Sequence, residues 1–140
     1  MANPGPSTTV TIHPSNLASN QAIRLLAVAT GVNVNATGDQ AVLPIINSSN
    51  YSVSNVVFTN ASVSLSSAAA GLFTAPSASG GIVSNAALSA LTGATVVSQR
   101  TVASTATQTS QNLYLNVGTA QGATATMDVY VYGYDFSTYS

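Results

Sequence analysis

The side chains able to do chemistry are few: one histidine, His13; three aspartates, Asp39, Asp128 and Asp135; two arginines, Arg24 and Arg100; and no Cys, Lys or Glu. General acid–base catalysis needs a proton-transfer partner within reach of the imidazole, and a zinc site needs further ligands. No spacing in the chain supplies either, and His13 stands before Pro14 at the end of a strand-like run, so it reads as structural. Ser and Thr together fill about a quarter of the chain, and no Gly-x-Ser-x-Gly elbow marks one of them as a nucleophile. The aspartates show no Asp-x-Asp spacing, which leaves a calcium site built with backbone carbonyls as a minor alternative. Gly80-Gly81 and Gly118–Gly122 are followed by no Gly-Lys-Ser/Thr, so neither is a phosphate loop. We expect no enzyme activity, no metal and no cofactor.

Tyrosine is the remaining chemical signal. Four of the six tyrosines lie between Tyr130 and Tyr139. In the run Gly122–Phe136, Met127, Val129 and Val131 share one parity, while Asp128, Tyr130, Tyr132 and Tyr134 share the other. A strand sends alternate side chains to opposite faces, so this run predicts a long strand with an apolar face and a tyrosine face. Gly133 interrupts it and marks a bulge or a close backbone approach. A tyrosine row suits a subunit interface or sugar stacking; it also suits a sandwich strand half covered by a loop. Arg24, Arg100 and Asp128 each fall within strands. Either an Arg–Asp128 pair forms at a subunit interface, or the charges face solvent. The candidate interface residues are therefore Arg24, Asp128, Tyr130, Tyr132 and Tyr134.

Bulk properties narrow the class. A chain of 140 residues makes one domain of ordinary size, able to bury roughly 68–70% of its unfolded surface without disulfide or metal. Only 4% of residues are charged, against about 25% in ordinary domains. A surface of Ser, Thr, Asn and Gln suits a permanent assembly or a particle exposed to varying salt. With two cations there is no basic patch, so nucleic acid is not an expected partner. The longest apolar stretch, Leu25–Ala29, is far short of the roughly 20 residues that span a bilayer, so no membrane is expected. Met1 leads into Ala-Asn-Pro-Gly-Pro with no basic or apolar signal region, so we expect folding in a cytoplasm. Four Asn-x-Ser/Thr sequons, at Asn35, Asn47, Asn50 and Asn60, are about what chance gives at this composition.

Along the chain, residues 1–7 read as a Pro/Gly-rich flexible arm and residues 8–140 as one domain. Strands are expected over Thr8–His13, Gln21–Thr30, Gln40–Ile46, Tyr51–Thr59, Ala61–Ser66, Leu72–Thr74, Thr95–Ala103, Asn112–Val117 and the final run. Pro44 puts its strand at an edge or a bulge. Asn60 marks a bend, and Ser104–Ser110 is either a loop or an outward-facing strand segment. Ser84-Asn85 would cap a short helix over Ala86–Leu91, closed by Gly93. About eight or nine strands with turns at short intervals, at most one short helix near 85–91, and no internal repeat make an all-β, single-domain β-sandwich of jelly-roll-like form.

Several segments together carry a family resemblance. Ala70-Gly-Leu-Phe-Thr-Ala75, Gly80-Gly-Ile-Val83, Ala87-Leu-Ser-Ala-Leu-Thr92, Asn112-Leu-Tyr-Leu115 and Gly118-Thr-Ala-Gln-Gly-Ala-Thr-Ala-Thr-Met-Asp-Val-Tyr-Val-Tyr-Gly-Tyr134 follow in that order. Over about residues 50–136 the chain resembles small virion proteins of tailed bacteriophages of the capsid cement or decoration type. Met127 and Pro76 depart from the pattern. The resemblance implies a jelly-roll-like protomer, usually a homotrimer, on the outer capsid surface near three-fold and quasi-three-fold axes. It would bind the major capsid protein and bridge neighbouring capsomers against the pressure of packaged DNA, the arm at residues 1–7 reaching a neighbouring subunit. The alternative is a phage tail or receptor-binding adhesin module that uses the tyrosine face for glycans.

Overall fold

The computed structural model describes residues 23–92 and 96–137. Within them lie eight strands: β1 Arg24–Asn33, β2 Gly38–Pro44, β3 Tyr51–Thr59, β4 Ala69–Ala75, β5 Ser79–Ala87, β6 Val97–Arg100, β7 Asn112–Thr119 and β8 Thr126–Asp135. They form two four-stranded sheets, ordered β1-β8-β3-β6 and β2-β7-β4-β5. The pairs β1–β8, β2–β7, β3–β6 and β4–β5 are all antiparallel. The chain is thus one long paired ribbon, closed at the β4–β5 turn. It rolls up where β8 also pairs β3 and β7 also pairs β4. This is the jelly roll, an all-β solution that leaves few open sheet edges.

The strict alternation of the C-terminal run explains why β8 sits inside its sheet, flanked by β1 and β3. Met127, Val129 and Val131 are fully buried. They meet Leu26, Val56 and Phe58 from the same sheet and Leu43, Leu72, Leu113, Leu115 and Val117 from the other, in one continuous core. Gly133 lies where both neighbours bulge: β1 between Leu25 and Ala27, β3 between Val53 and Asn55. A Cβ there would stand 2.8 Å from Leu26 Cδ1 and closer still to the Ser52 carbonyl oxygen. The bulged Leu26 therefore occupies the space a side chain at 133 would need. Pro44 closes β2, an edge strand, where its missing N–H costs no ladder bond.

Two expected elements do not form, and β5 has no counterpart among the expected strands. Ala61–Ser66 is not a strand. Asn60 adopts a left-handed φ of 54° and turns the chain away from β6. The segment is then held irregularly, by Ser62 N–H to the Thr126 carbonyl at 2.9 Å and Leu65 N–H to the Leu91 carbonyl at 3.0 Å. Leu65 is buried, whereas Val63 is 46% exposed. The Gln121 amide accepts from Ser67 and Ala68 N–H and donates to the Ser64 carbonyl, replacing a strand partner. The helix over Ala86–Leu91 does not form either. β5 runs on to Ala87 because Ala86 and Ala87 pair with Ala70 and Ala69 of β4. A single turn, Leu91 N–H to the Leu88 carbonyl at 2.9 Å, then sinks both leucines into the core. Tertiary pairing has overridden the helix preference of the alanines. The expected arm at 1–7, the strand Thr8–His13 and Gly93 lie outside the described residues.

Ser104–Ser110 is a loop pinned to the start of β3. Tyr51 and Gln108 exchange both backbone hydrogen bonds, at 3.0 and 2.7 Å. The Tyr51 hydroxyl donates to the Ser110 carbonyl at 2.6 Å, and Ser52 Oγ donates to the Thr105 carbonyl at 2.6 Å. Tyr51 is fully buried, and that burial pushes its phenol from 10.0 up to about 12. Between those values the unfolded chain gives up a proton that the folded chain keeps, so stability falls as pH rises through that window. We expect urea-unfolding free energies to drop by about 2 kcal/mol between pH 8 and pH 12 on this account. Tyr51→Phe should abolish that Tyr51-linked part of the fall. It should cost about 1 kcal/mol at neutral pH, because the Ser110 carbonyl loses its donor.

Candidate interaction surface

The outer face of the β1-β8-β3-β6 sheet carries the tyrosine row. Tyr130 stands between Val28 of β1 and Val57 of β3; Tyr132 stands between Leu25 and Asn55; Tyr134 pairs Ser52. Residues directly opposite on antiparallel strands project to the same side, so Leu25, Val28, Tyr130, Tyr132 and Val57 form one contiguous apolar and aromatic surface. All five are half-buried. Tyr134 and Phe136 extend it, their rings stacked at 6.4 Å between centroids and 21° between planes. At the β6 border Val97 is 55% exposed. Strand alternation produces this face: every second residue of β8 from Thr126 to Tyr134 is half-buried while the intervening ones are buried.

Asp128 lies on the same parity, near the opening of β8, and is tied internally. Its Oδ1 accepts from Gly31 N–H at 2.8 Å and its Oδ2 accepts from Asn60 Nδ2 at 2.9 Å. Gly31 and Asn60 both have left-handed φ, 62° and 54°. One carboxylate thus fastens the irregular part of β1 to the bend that ends β3. Arg24 does not meet it. It pairs Gly133, five residues further along β8, which is roughly 17 Å away at ~3.4 Å per residue. Its ion partner is Asp135, with Nε 3.7 Å from Oδ2. Arg24 also donates to the Ile46 and Leu25 carbonyls.

Asp135 is 3% exposed and anchors a polar knot at the end of β8. Its Oδ1 accepts from Ser48 Oγ at 2.7 Å and from Ser137 N–H at 2.9 Å, and Ser137 Oγ accepts from Ser49 N–H at 2.8 Å. The third aspartate, Asp39, accepts from Asn116 Nδ2 at 2.8 Å and Ser77 N–H at 2.9 Å. Those bonds, the Asn116 one foremost, hold its carboxyl below the usual range. The three carboxylates therefore sit in three separate knots. Among the described residues no group of three His, Cys, Asp or Glu side chains could hold a metal ion. No helix among them is long and apolar enough to cross a membrane. His13 lies outside the described residues.

The structure gathers Tyr130, Tyr132 and Tyr134 on one face, places Asp128 at its border as a structural tie, and puts Arg24 at the far end with Asp135. Arg100, the other arginine expected within a strand, does not meet Asp128 either. Arg100 closes β6, stands over the Phe58 ring at 5.4 Å and donates to the Ala87 carbonyl at 3.1 Å across the gap between the sheets. Nothing in the alternation of 95–103 shows that this strand ends a sheet.

No protein-family model matches the chain, and no curated protein matches its sequence. Among solved structures, a chain of the cyanophage Pam1 capsid asymmetric unit has a similar fold. The TM-score is 0.52 at 14% identity, over 96% of this chain and 91% of that one. The two shares are nearly equal, so the chains are of similar length. At that identity the likeness establishes the fold alone.

Proposed function

We propose that this chain is a non-enzymatic structural protein of a bacteriophage virion that decorates the outer capsid surface and bridges neighbouring capsomers. The observation that carries the reading is the end-to-end likeness to a chain of a cyanophage capsid asymmetric unit. Two features support it independently. Each of the three aspartates fastens segments distant in sequence, as suits a chain built for a rigid shell. The outer face of one sheet is apolar and aromatic while the chain as a whole is 4% charged, a combination suited to permanent burial against other subunits.

The homotrimer forms through the tyrosine face, with Tyr130, Tyr132 and Tyr134 as the aromatic anchors and Asp128 at its margin, while Arg24 stays in the Asp135 knot. Large amphipathic rings at the centre of an interface contribute most of its energy. Sedimentation of the full chain should give a trimer. The double variant Tyr130→Ser/Tyr132→Ser should shift it to monomer at micromolar concentration, with the alternating core of β8 still formed by circular dichroism. A wild-type chain that sediments as a monomer and binds a glycan array through Tyr132 would favour the adhesin reading instead. Purified virions should carry the chain in many copies spread over the shell; a handful at one vertex would mark a tail or portal component.

A further inference from the structure

β5 and β6 are the terminal strands of their respective sheets and approach each other along one side of the sandwich. Two hydrogen bonds stitch this side: Ala103 N–H to the Ile82 carbonyl at 2.7 Å, and Arg100 Nη1 to the Ala87 carbonyl at 3.1 Å. They bracket residues 83–86 of β5. Between them opens a groove of about 370 Å³, with Val83, Ser84 and Ala86 on one wall and Gln99, Arg100 and Thr101 on the other. That volume falls in the range of small-ligand clefts, which run from about 300 to 1,000 Å³.

Arg100 is the unusual member of this lining. The chain has two cationic side chains, and Arg24 has a carboxylate within ion-pair distance. Among the described residues Arg100 has none. It is half-buried, and its loss of water lowers its pKa from the ordinary arginine value. A guanidinium has five N–H donors in a planar fork, and the Ala87 carbonyl takes one from Nη1. The remaining fork suits a carboxylate, which binds arginine in a bidentate, charge-assisted pair. A partly desolvated charge without a counter-charge is a cost to the free protein that such a ligand would relieve. A polyanion fits poorly: one arginine gives a single phosphate contact, and the net charge of −1 repels the rest. The groove wall on the β5 side is a sheet edge, and sheet edges take extended segments as an added strand.

We propose that the groove between β5 and β6 binds a carboxylate side chain carried on an extended segment of a neighbouring protein, with Arg100 as its anchor. The site lies between the two sheets, apart from the tyrosine face, so it stands or falls separately from the trimer and from the capsid assignment. The test uses the full chain, isotope-labelled, titrated with the peptide acetyl-Thr-Val-Asp-Val-Thr-Val-amide and with its Asp-to-Asn counterpart. The aspartate peptide should move the amide signals of residues 83–86 and 99–101 and bind about tenfold more tightly than the asparagine peptide. Arg100→Gln should erase the difference. Ala86→Glu keeps Arg100 and places a carboxylate inside the groove, so it should block the peptide while leaving the fold's spectrum intact. Equal binding of the two peptides, shifts that map elsewhere, or undiminished binding to Ala86→Glu would overturn the proposal.

Discussion

Gly133→Ala should unfold at a markedly lower temperature than the wild-type chain, with a loss of about 3 kcal/mol or more. The added methyl would collide with the Ser52 carbonyl oxygen, stand 2.8 Å from Leu26 Cδ1 and 3.0 Å from the Ser52 carbonyl carbon. Two of these are backbone atoms of β3, which cannot rotate away as a flexible side chain would. Both neighbouring strands already bulge at this level, and Leu26 is fully buried in the space concerned. Relief therefore requires β8 to move off β3, at the centre of its sheet. At roughly 3 °C per kcal/mol for a chain of this size, the midpoint should fall by about 10 °C. Gly31→Ala provides the contrast. Its backbone is left-handed at φ 62°, but nothing lies within 4 Å of the added carbon. It should cost only the conformational strain, about 1 kcal/mol. Equal midpoints for the two variants would show that the close approach at Gly133 is not a constraint.

Phe58→Ala should be the costliest of the core truncations, at about 3–5 kcal/mol. Phe58 is fully buried, opposite Val129 of β8 and Ser98 of β6. Its removal leaves a cavity between the sheets and strips the ring from beneath the Arg100 guanidinium, 5.4 Å from its centroid. The second loss can be separated from the first. Phe58→Leu largely refills the space while removing the ring, so in a double-mutant cycle with Arg100→Gln it should show a coupling of about 0.5–1 kcal/mol. No coupling would mean that Arg100 is held by the Ala87 carbonyl alone. Denaturant unfolding at fixed protein concentration reads both quantities, since an assembling chain has a concentration-dependent stability.

Much of this fold was legible in the residues, for identifiable reasons. β8 alternates without a fault from Met127 to Tyr132, and that regularity carries both its strand state and its place between two partners. β3 begins and ends where the polar turn at 47–50 and Asn60 put its limits. The jelly-roll-like expectation came from eight or nine short strands with closely spaced turns, seconded by the resemblance, and the pairing order bears it out. Failures arose where neighbours distant in sequence decide the conformation. Ala86 and Ala87 favour helix locally, but β4 offers them a ladder. Ser62, Ser64 and Ser66 alternate with apolar residues, yet the side chain of Gln121, more than 50 residues away, holds that segment instead.

The candidate surface shows the same division. Tyr130, Tyr132 and Tyr134 were readable because parity alone places them together. The pairing of Arg24 with Asp135, and the use of Asp128 to tie Gly31 to Asn60, depend on register, which bulges in β1 and β3 shift by a residue. Arg100 was readable as a strand charge but its place at a sheet edge was not, because whether a strand ends its sheet is a property of topology.

The capsid reading rests most directly on where the chain sits in a particle. If the proposed role holds, a cryo-electron microscopy map of virions carrying the chain should show this jelly roll as trimeric density on the outer shell, each copy spanning a junction between capsomers. The tyrosine-bearing sheets should face one another around the three-fold axis. Density for the chain confined to the tail, or its absence from the shell of intact particles, would contradict the account.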